Sequence, residues 1–179
     1  MEVYTIGHST RSLEEFTTLL RAADVRRVVD VRAFPMSRRH PQFNKDALSI
    51  TLPAAGFDYR HMPALGGRRH RQKATPSRNR LWKVEAFRNY ADYAETAAFG
   101  SAIAELEALA REQPTAFMCA EAVWWQCHRR LITDYLLARG WTVVHILAAG
   151  RQQRASMTEG ALVHGDGTIE YPPPQPSLL

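Results

Sequence analysis

The sequence predicts a single α/β domain, a mainly parallel sheet with flanking helices and a small C-terminal hairpin. Three observations predict it. Short apolar segments rich in β-branched residues alternate with amphipathic ones along the chain. Those apolar segments suit strands buried on both faces, as in a parallel sheet. The 179 residues suit one core of ordinary size, and two full domains would be cramped. The domain is expected over residues 1–171, with Pro172-Pro173-Pro174 opening an extended tail over 172–179.

Taken in order, Val3 to Gly7 reads as the first strand. Ser12 and Glu15 have capping-box spacing, and Leu13, Phe16, Leu19 and Leu20 form the apolar stripe of the helix that follows. Arg26 to Arg32, centred on three valines, reads as a second strand. Phe34 to Phe43 holds two prolines and the basic triplet Arg38-Arg39-His40, which predicts a loop. Asn44 is placed to cap a short helix, with Pro53 as its breaker. Phe57 to Met62 is a third strand, leading to Gly66-Gly67. Tyr90 to Arg111 reads as mostly helical, with an interruption expected at Gly100-Ser101. Pro114 separates it from a strand over Thr115 to Cys119. A helix is expected from Gln126 to Arg139, stopped by Gly140. Trp141 to Leu147 is a further strand. Gly165-Asp166-Gly167 joins the two arms of the hairpin.

Composition narrows the function classes. No apolar run approaches membrane-spanning length, so no membrane partner is expected. The first residues read directly as a strand rather than a secretory signal, so the expected location is cytoplasmic. In that compartment Cys119 and Cys127 are not expected to form a structural disulfide. The net charge of +5 is uneven: seven basic residues and no acid lie between Gly67 and Glu85, and the remaining residues are slightly acidic in balance. The basicity belongs to one segment.

Ligands of open parallel sheets bind beyond the carboxyl ends of the strands. Those ends are polar here: Gly7-His8-Ser9, Asp30 and Arg32, Gly66-Gly67, and Cys119-Ala120-Glu121. The richest segment runs from Cys119 to Arg130. A thiol near a helix N-terminus and near cations is acidified. Beside an imidazole it has the makings of a nucleophile and its base, and Glu121 is a candidate general acid or base. The same residues also admit plainer roles. Cys127, Leu131 and Tyr135 share a helical spacing that suits core packing. Asp30 and Arg32 point to one side of a strand and suit a structural pair.

The motifs Thr5-Ile6-Gly7-His8-Ser9, Val29-Asp30-Val31-Arg32 with Pro35, Pro41-Gln42-Phe43-Asn44, Leu65-Gly66-Gly67 and Cys119-Ala120-Glu121 followed by Cys127-His128-Arg129-Arg130 carry a resemblance. Together they resemble the bacterial and archaeal domain-of-unknown-function family 488, from about Tyr4 to Ile146. The resemblance implies an α/β domain and makes these polar positions the family's site. It implies no particular reaction.

Three functions are compatible with these residues. The first is an enzyme acting on a small anionic or nucleotide-like substrate, with Cys119 leading as nucleophile or ligand and Cys127 second. Glu121 or His8 would handle protons, and Ser9, Asp30, Arg32, Gly66, Gly67, His128 and Arg129 would bind substrate. The second is a nucleic-acid-binding module using Arg68, Arg69, Arg71, Lys73 and Arg80, with Trp82 stacking on a base. The third is a metal-binding protein using Cys119, Cys127 and His128. No residue pattern identifies a cofactor or an oligomeric state.

Overall fold

The computed structural model describes residues 1–71 and 76–174. Its centre is a six-stranded sheet: β1 (Glu2–Gly7), β2 (Arg27–Asp30), β3 (Asp58–His61), β4 (Thr115–Cys119), β5 (Thr142–Ala148) and β6 (Arg151–Arg154), in the order β3-β2-β4-β1-β5-β6. The first five are parallel, and β6 returns antiparallel to β5 along the edge. A two-stranded hairpin, β7 (Leu162–Val163) and β8 (Ile169–Glu170), stands apart. The predicted α/β domain is therefore present, with one antiparallel edge strand. No helix of the described residues is long and apolar enough to cross a membrane.

Side chains alternate across the sheet, and each face has its own core. Ile6, Val28, Ala116 and Met118 meet α1 (Leu13–Ala22) and α2 (Lys45–Ala54) through Phe16, Leu20, Leu48 and Leu52. Val3, Val29, Phe117 and Val143 meet α3 (Glu85–Ala94), α4 (Ala97–Glu112) and α5 (Arg129–Ala138) on the opposite face. The hairpin docks on α5: the Ile169 amide donates to the Tyr135 hydroxyl and the Tyr171 hydroxyl donates to Asp134.

Topology sets the position of the site. The chain leaves β2 toward the β3 edge and leaves β4 toward the β5 edge. Connections from two neighbouring strands therefore diverge, which opens a crevice past their carboxyl ends.

Several local expectations are corrected. The helical stretch over 85–112 breaks at Glu95-Thr96, because Thr96 caps α4 by accepting from the Phe99 amide. Gly100 sits inside the helix. Pro53 does not break α2 partway: it is the last residue but one, and the helix ends directly after it at Ala54. Asn44 holds the N-cap position of α2, but its side chain instead accepts from the Ser37 amide and pins the preceding loop. The helix expected from Gln126 begins only at Arg129; Trp124–Gln126 is a separate 3-10 turn. Cys127 therefore does not share a helical face with Leu131 and Tyr135.

Gly7 ends β1 where the chain beyond β4 passes over it. A Cβ there would collide with the Glu121 carbonyl and come within 3.0 Å of Arg129. Gly7→Ala should lower the urea midpoint by the equivalent of roughly 1–3 kcal/mol. Gly100→Ala, with open space around it, should raise stability by about 0.5–1 kcal/mol. Equal effects in the two variants would show that Gly7 is not a close-approach position.

Candidate functional site

A cleft of about 780 Å³ opens at the divergence between β2 and β4. His8 and Ser9 enter it from the end of β1, Arg32 from β2, Cys119 and Glu121 from β4, and Cys127 and His128 from the turn before α5. Residues spread over more than a hundred positions thus share one cavity.

Its floor is Cys119, Cys127 and His128, whose donor atoms lie within 4.8 Å of one another. His128 Nδ1 is 3.5 Å from the Cys127 sulfur and 3.9 Å from the Cys119 sulfur. Its other nitrogen, Nε2, is 2.9 Å from the Val31 carbonyl oxygen. A carbonyl only accepts, so Nε2 carries a proton and Nδ1 is the nitrogen turned toward both sulfurs. Gly67 makes room for that ring: a Cβ would stand 2.5 Å from Nδ1. Tyr90 packs edge-on against the imidazole, 5.3 Å between centroids.

The two thiols are both buried and close to one another. The neighbouring Cys127 sulfur holds the Cys119 thiol well above its ordinary range, and burial adds to it. Burial pushes the Cys127 thiol up as well, but Cys119, His128 and Arg129 beside it outweigh that and hold Cys127 well below. One of the two sulfurs is therefore the preferred place for a negative charge.

A second layer supports the floor. Asp30 is fully buried and accepts from the Arg32 amide, from Arg32 Nε and NH2, and from the Tyr59 hydroxyl. Arg32 also donates to the Phe43 carbonyl and to His8 Nε2. His8 stacks on Phe43 and bonds through Nδ1 to the Ser9 carbonyl. Both of its nitrogens are engaged. Burial, with Arg32 beside it, lowers its pKa to about 4. His8 is thus a neutral acceptor from Arg32.

The predicted binding residues divide. Ser9, Arg32, Gly67, Arg68 and His128 line the cleft; Asp30, Gly66 and Arg129 stand behind its lining. Gly66 packs on Ala33, where a Cβ would come within 2.7 Å. Arg129 is buried and donates to Thr5 Oγ1 and the Glu121 carbonyl, so it braces the loop. Trp82 cannot stack on a base: it is buried in the core between Phe87 and Tyr171, with Arg130 over its ring. Arg69 commits its donors to the carbonyls of Pro63, Ala64 and Gly66. Arg71 and Arg80 are exposed, and Lys73 lies outside the described residues. Phe34, Met36, Arg39 and His40 also line the cleft, unforeseen as site residues. The basic triplet immediately beyond β2 was the signal that could have found them.

His145 lies in the braced region. It is buried on β5 with Trp124 stacked on it at 4.2 Å, and neither ring nitrogen has a partner among the described residues. Burial, with Arg129 nearby, lowers its pKa to about 4. His8 and His145 are thus both held below the ordinary 6.5. Above that value neither state of the chain is protonated at these rings. Below it the unfolded chain takes up protons that the folded chain refuses, so stability falls from pH 6.5 toward 4. Urea midpoints measured across that window should show the decline, and His145→Phe, which keeps a ring against Trp124, should flatten it. An unchanged slope would exclude His145 as a source.

No curated protein and no solved structure matches the chain. A family model described as "Domain of unknown function DUF488" matches residues 12–136. The match takes in Asp30, Arg32, Gly66, Gly67, Cys119 and Cys127 to Arg130, and begins just after His8 and Ser9. On that match over most of its length, with the α/β sheet and cleft described above, the chain belongs to the DUF488 family.

Proposed function

We propose that this chain is a metal-dependent enzyme whose ion is held by Cys119 Sγ, Cys127 Sγ and His128 Nδ1, and whose substrate is a nucleotide-like anion bound in the cleft. The observation that carries this reading is the convergence of the three donors on one side of an oriented imidazole. With metal bonds of about 2.3 Å to sulfur and 2.0–2.1 Å to nitrogen, a tetrahedral ion separates its sulfur and nitrogen ligands by about 3.5 Å. The separations here are 3.5 and 3.9 Å. A backbone carbonyl orienting the far nitrogen is the usual outer partner of a ligating histidine.

Two thiolates and an imidazole select a borderline-soft ion, zinc above magnesium or calcium. Three protein ligands leave a position for water or substrate, as catalytic rather than structural zinc sites do. Such an ion supplies an acidified water or a polarised substrate oxygen. Glu121, exposed on the cleft wall, is placed to move a proton. Arg39 and Arg68 face the same space and attract negative charge. Arg32 is neutralised by Asp30 and acts by positioning His8 and Phe43.

The split between the two thiols favours a second reading, in which Cys127 is a nucleophile and Cys119 its proton donor. The near-complete burial of Cys127, 3% exposed, weighs against attack on a substrate in the cleft.

Untagged protein equilibrated with zinc and desalted should carry one ion per chain by elemental analysis. Cys119→Ser, Cys127→Ser and His128→Gln should each lose it while keeping the far-ultraviolet circular dichroism. Gly67→Ala, which presses on the His128 ring, should weaken zinc roughly 10- to 100-fold, as loss of an orienting partner does. Cobalt(II) should give thiolate-to-metal absorption in the wild type alone. A folded chain that takes up neither ion overturns the metal reading. Activity that survives chelation and is lost in Cys127→Ser selects the thiol reading.

A further inference from the structure

Two apolar side chains at the mouth of the cleft lie mostly outside the core. Phe34 is 70% exposed and Met36 is 82% exposed, while Pro35 between them is buried. Their loop is tied down at both ends. The Met36 amide donates to the Phe34 carbonyl, the Ser37 amide to Asn44, and the Lys45 amide to the Pro35 carbonyl. The backbone that carries Phe34 and Met36 outward is therefore pinned.

The charge around them is mainly basic on the cleft side, while Asp46 stands with Lys45 in a smaller hollow on their other side. The facing loop reaches them through Gly66, which lies against Ala33, and through Arg68, whose guanidinium stands 6.0 Å from the Phe34 ring. Residues 33–45 and 62–84 contain no acid. Arg39 and Arg68 line the cleft from its two sides, and Arg38 is exposed just outside it. Among the described lining residues the one carboxylate is Glu121, on the β4 side.

We infer that the mouth of this cleft binds single-stranded nucleic acid, with Phe34 as a stacking platform for a base, Met36 as an apolar wedge beside it, and Arg38, Arg39 and Arg68 on the phosphates. Aromatic faces interleaved with arginines are how single strands are held without reading sequence. A small phosphate compound inside the cleft would leave Phe34 and Met36 in water. A strand that runs over the rim covers them and carries further phosphates past Arg38. A base stacked inside a duplex cannot reach a recessed centre, whereas an unstacked one can turn into it. A protein partner would need an acidic patch set beside an apolar socket, whereas a single strand brings a base and a phosphate with every nucleotide. The inference deepens the proposed nucleotide-like substrate, but binding at the rim does not need the ion.

The test uses metal-stripped and zinc-loaded protein with a fluorescein-labelled oligothymidylate of roughly twelve nucleotides, read by anisotropy. Binding at low salt is expected in both forms and should weaken as salt rises. Arg39→Ala with Arg68→Ala should lower affinity about tenfold or more. The pair should also flatten the log–log salt slope by about 1.4, at about 0.7 for each phosphate no longer neutralised. Phe34→Ala should lower affinity about fivefold or more and leave the slope unchanged. Thermal melts of the variants should match the wild type. Thymidine monophosphate at equal nucleotide concentration should not displace the strand. The inference is overturned by absence of binding at low salt, by variants that bind like the wild type, or by equal competition from the mononucleotide. Strand binding in a protein that takes up no zinc would leave this inference standing and remove the metal centre; zinc uptake without strand binding would do the reverse.

Discussion

One hydrogen bond organises the site: His128 Nε2 to the carbonyl of Val31. It joins the turn that precedes α5 to the end of β2, across the point where the connections diverge. By engaging Nε2 and fixing the ring plane it aims Nδ1 between two sulfurs. Gly67 beneath the ring and Tyr90 at its edge allow no other seat. A single backbone acceptor thus decides whether Cys119 and Cys127 are two buried thiols or two members of a donor set.

Charge is handled differently in the two layers around that bond. The inner layer is closed. The Asp30 carboxylate and the Arg32 guanidinium form a bidentate pair, and the remaining donors go to the Phe43 carbonyl and to neutral His8. Such a pair adds little net stability over apolar packing, but losing one partner strands a buried charge. Its use here is positional: it draws the end of β2, Phe43 and His8 into one block, and the loop bearing Phe34 and Met36 is anchored on that block. The outer layer is open, with soft donors on the floor and arginines on the rim. Among the described residues, the basic groups that face the cleft without a carboxylate bonded to them are therefore those of its rim, Arg39 and Arg68.

The sheet was legible because its signals are local. Val28, Val29 and Val31, and the run Ala116-Phe117-Met118, are apolar on both sides and read as buried strands. The Ser12–Glu15 box is written within four residues and is present as read. β6 was missed because Arg-Gln-Gln-Arg has no apolar pattern; it exists only through pairing with β5. Gly66 and Gly67 were legible as special positions, but not for the right reason. The need is steric, from Ala33 and His128, which no local pattern reveals. Trp82 was misread because adjacent basic residues suggested exposure, while Phe87 on the next helix and Tyr171, far along the chain, bury it. The gathering of His8, Arg32, Cys119 and His128 around one cavity followed from the parallel-sheet expectation alone.

The segment from Glu121 to His128 carries Glu121, Cys127 and His128 to the cleft yet has one 3-10 turn as its regular structure. What fixes it comes from outside. Arg129 reaches back to the Glu121 carbonyl and to Thr5, Trp124 lies flat on His145, and His128 bonds to Val31. The bracing is costly: Arg129 Nε, Trp124 Nε1 and both nitrogens of His145 are buried with no partner among the described residues. A chain selected for stability alone would fill that space with apolar side chains. Buried polar groups under a loop that sets Cys127 and His128 beside Cys119 are the mark of a scaffold in which geometry at the site outweighs economy in the core. The same reasoning accounts for the rim, where Phe34 and Met36 forgo burial that a freer loop would allow them. Floor and rim depart from folding logic in opposite directions, polar groups inward and apolar groups outward, and both departures face the same cleft.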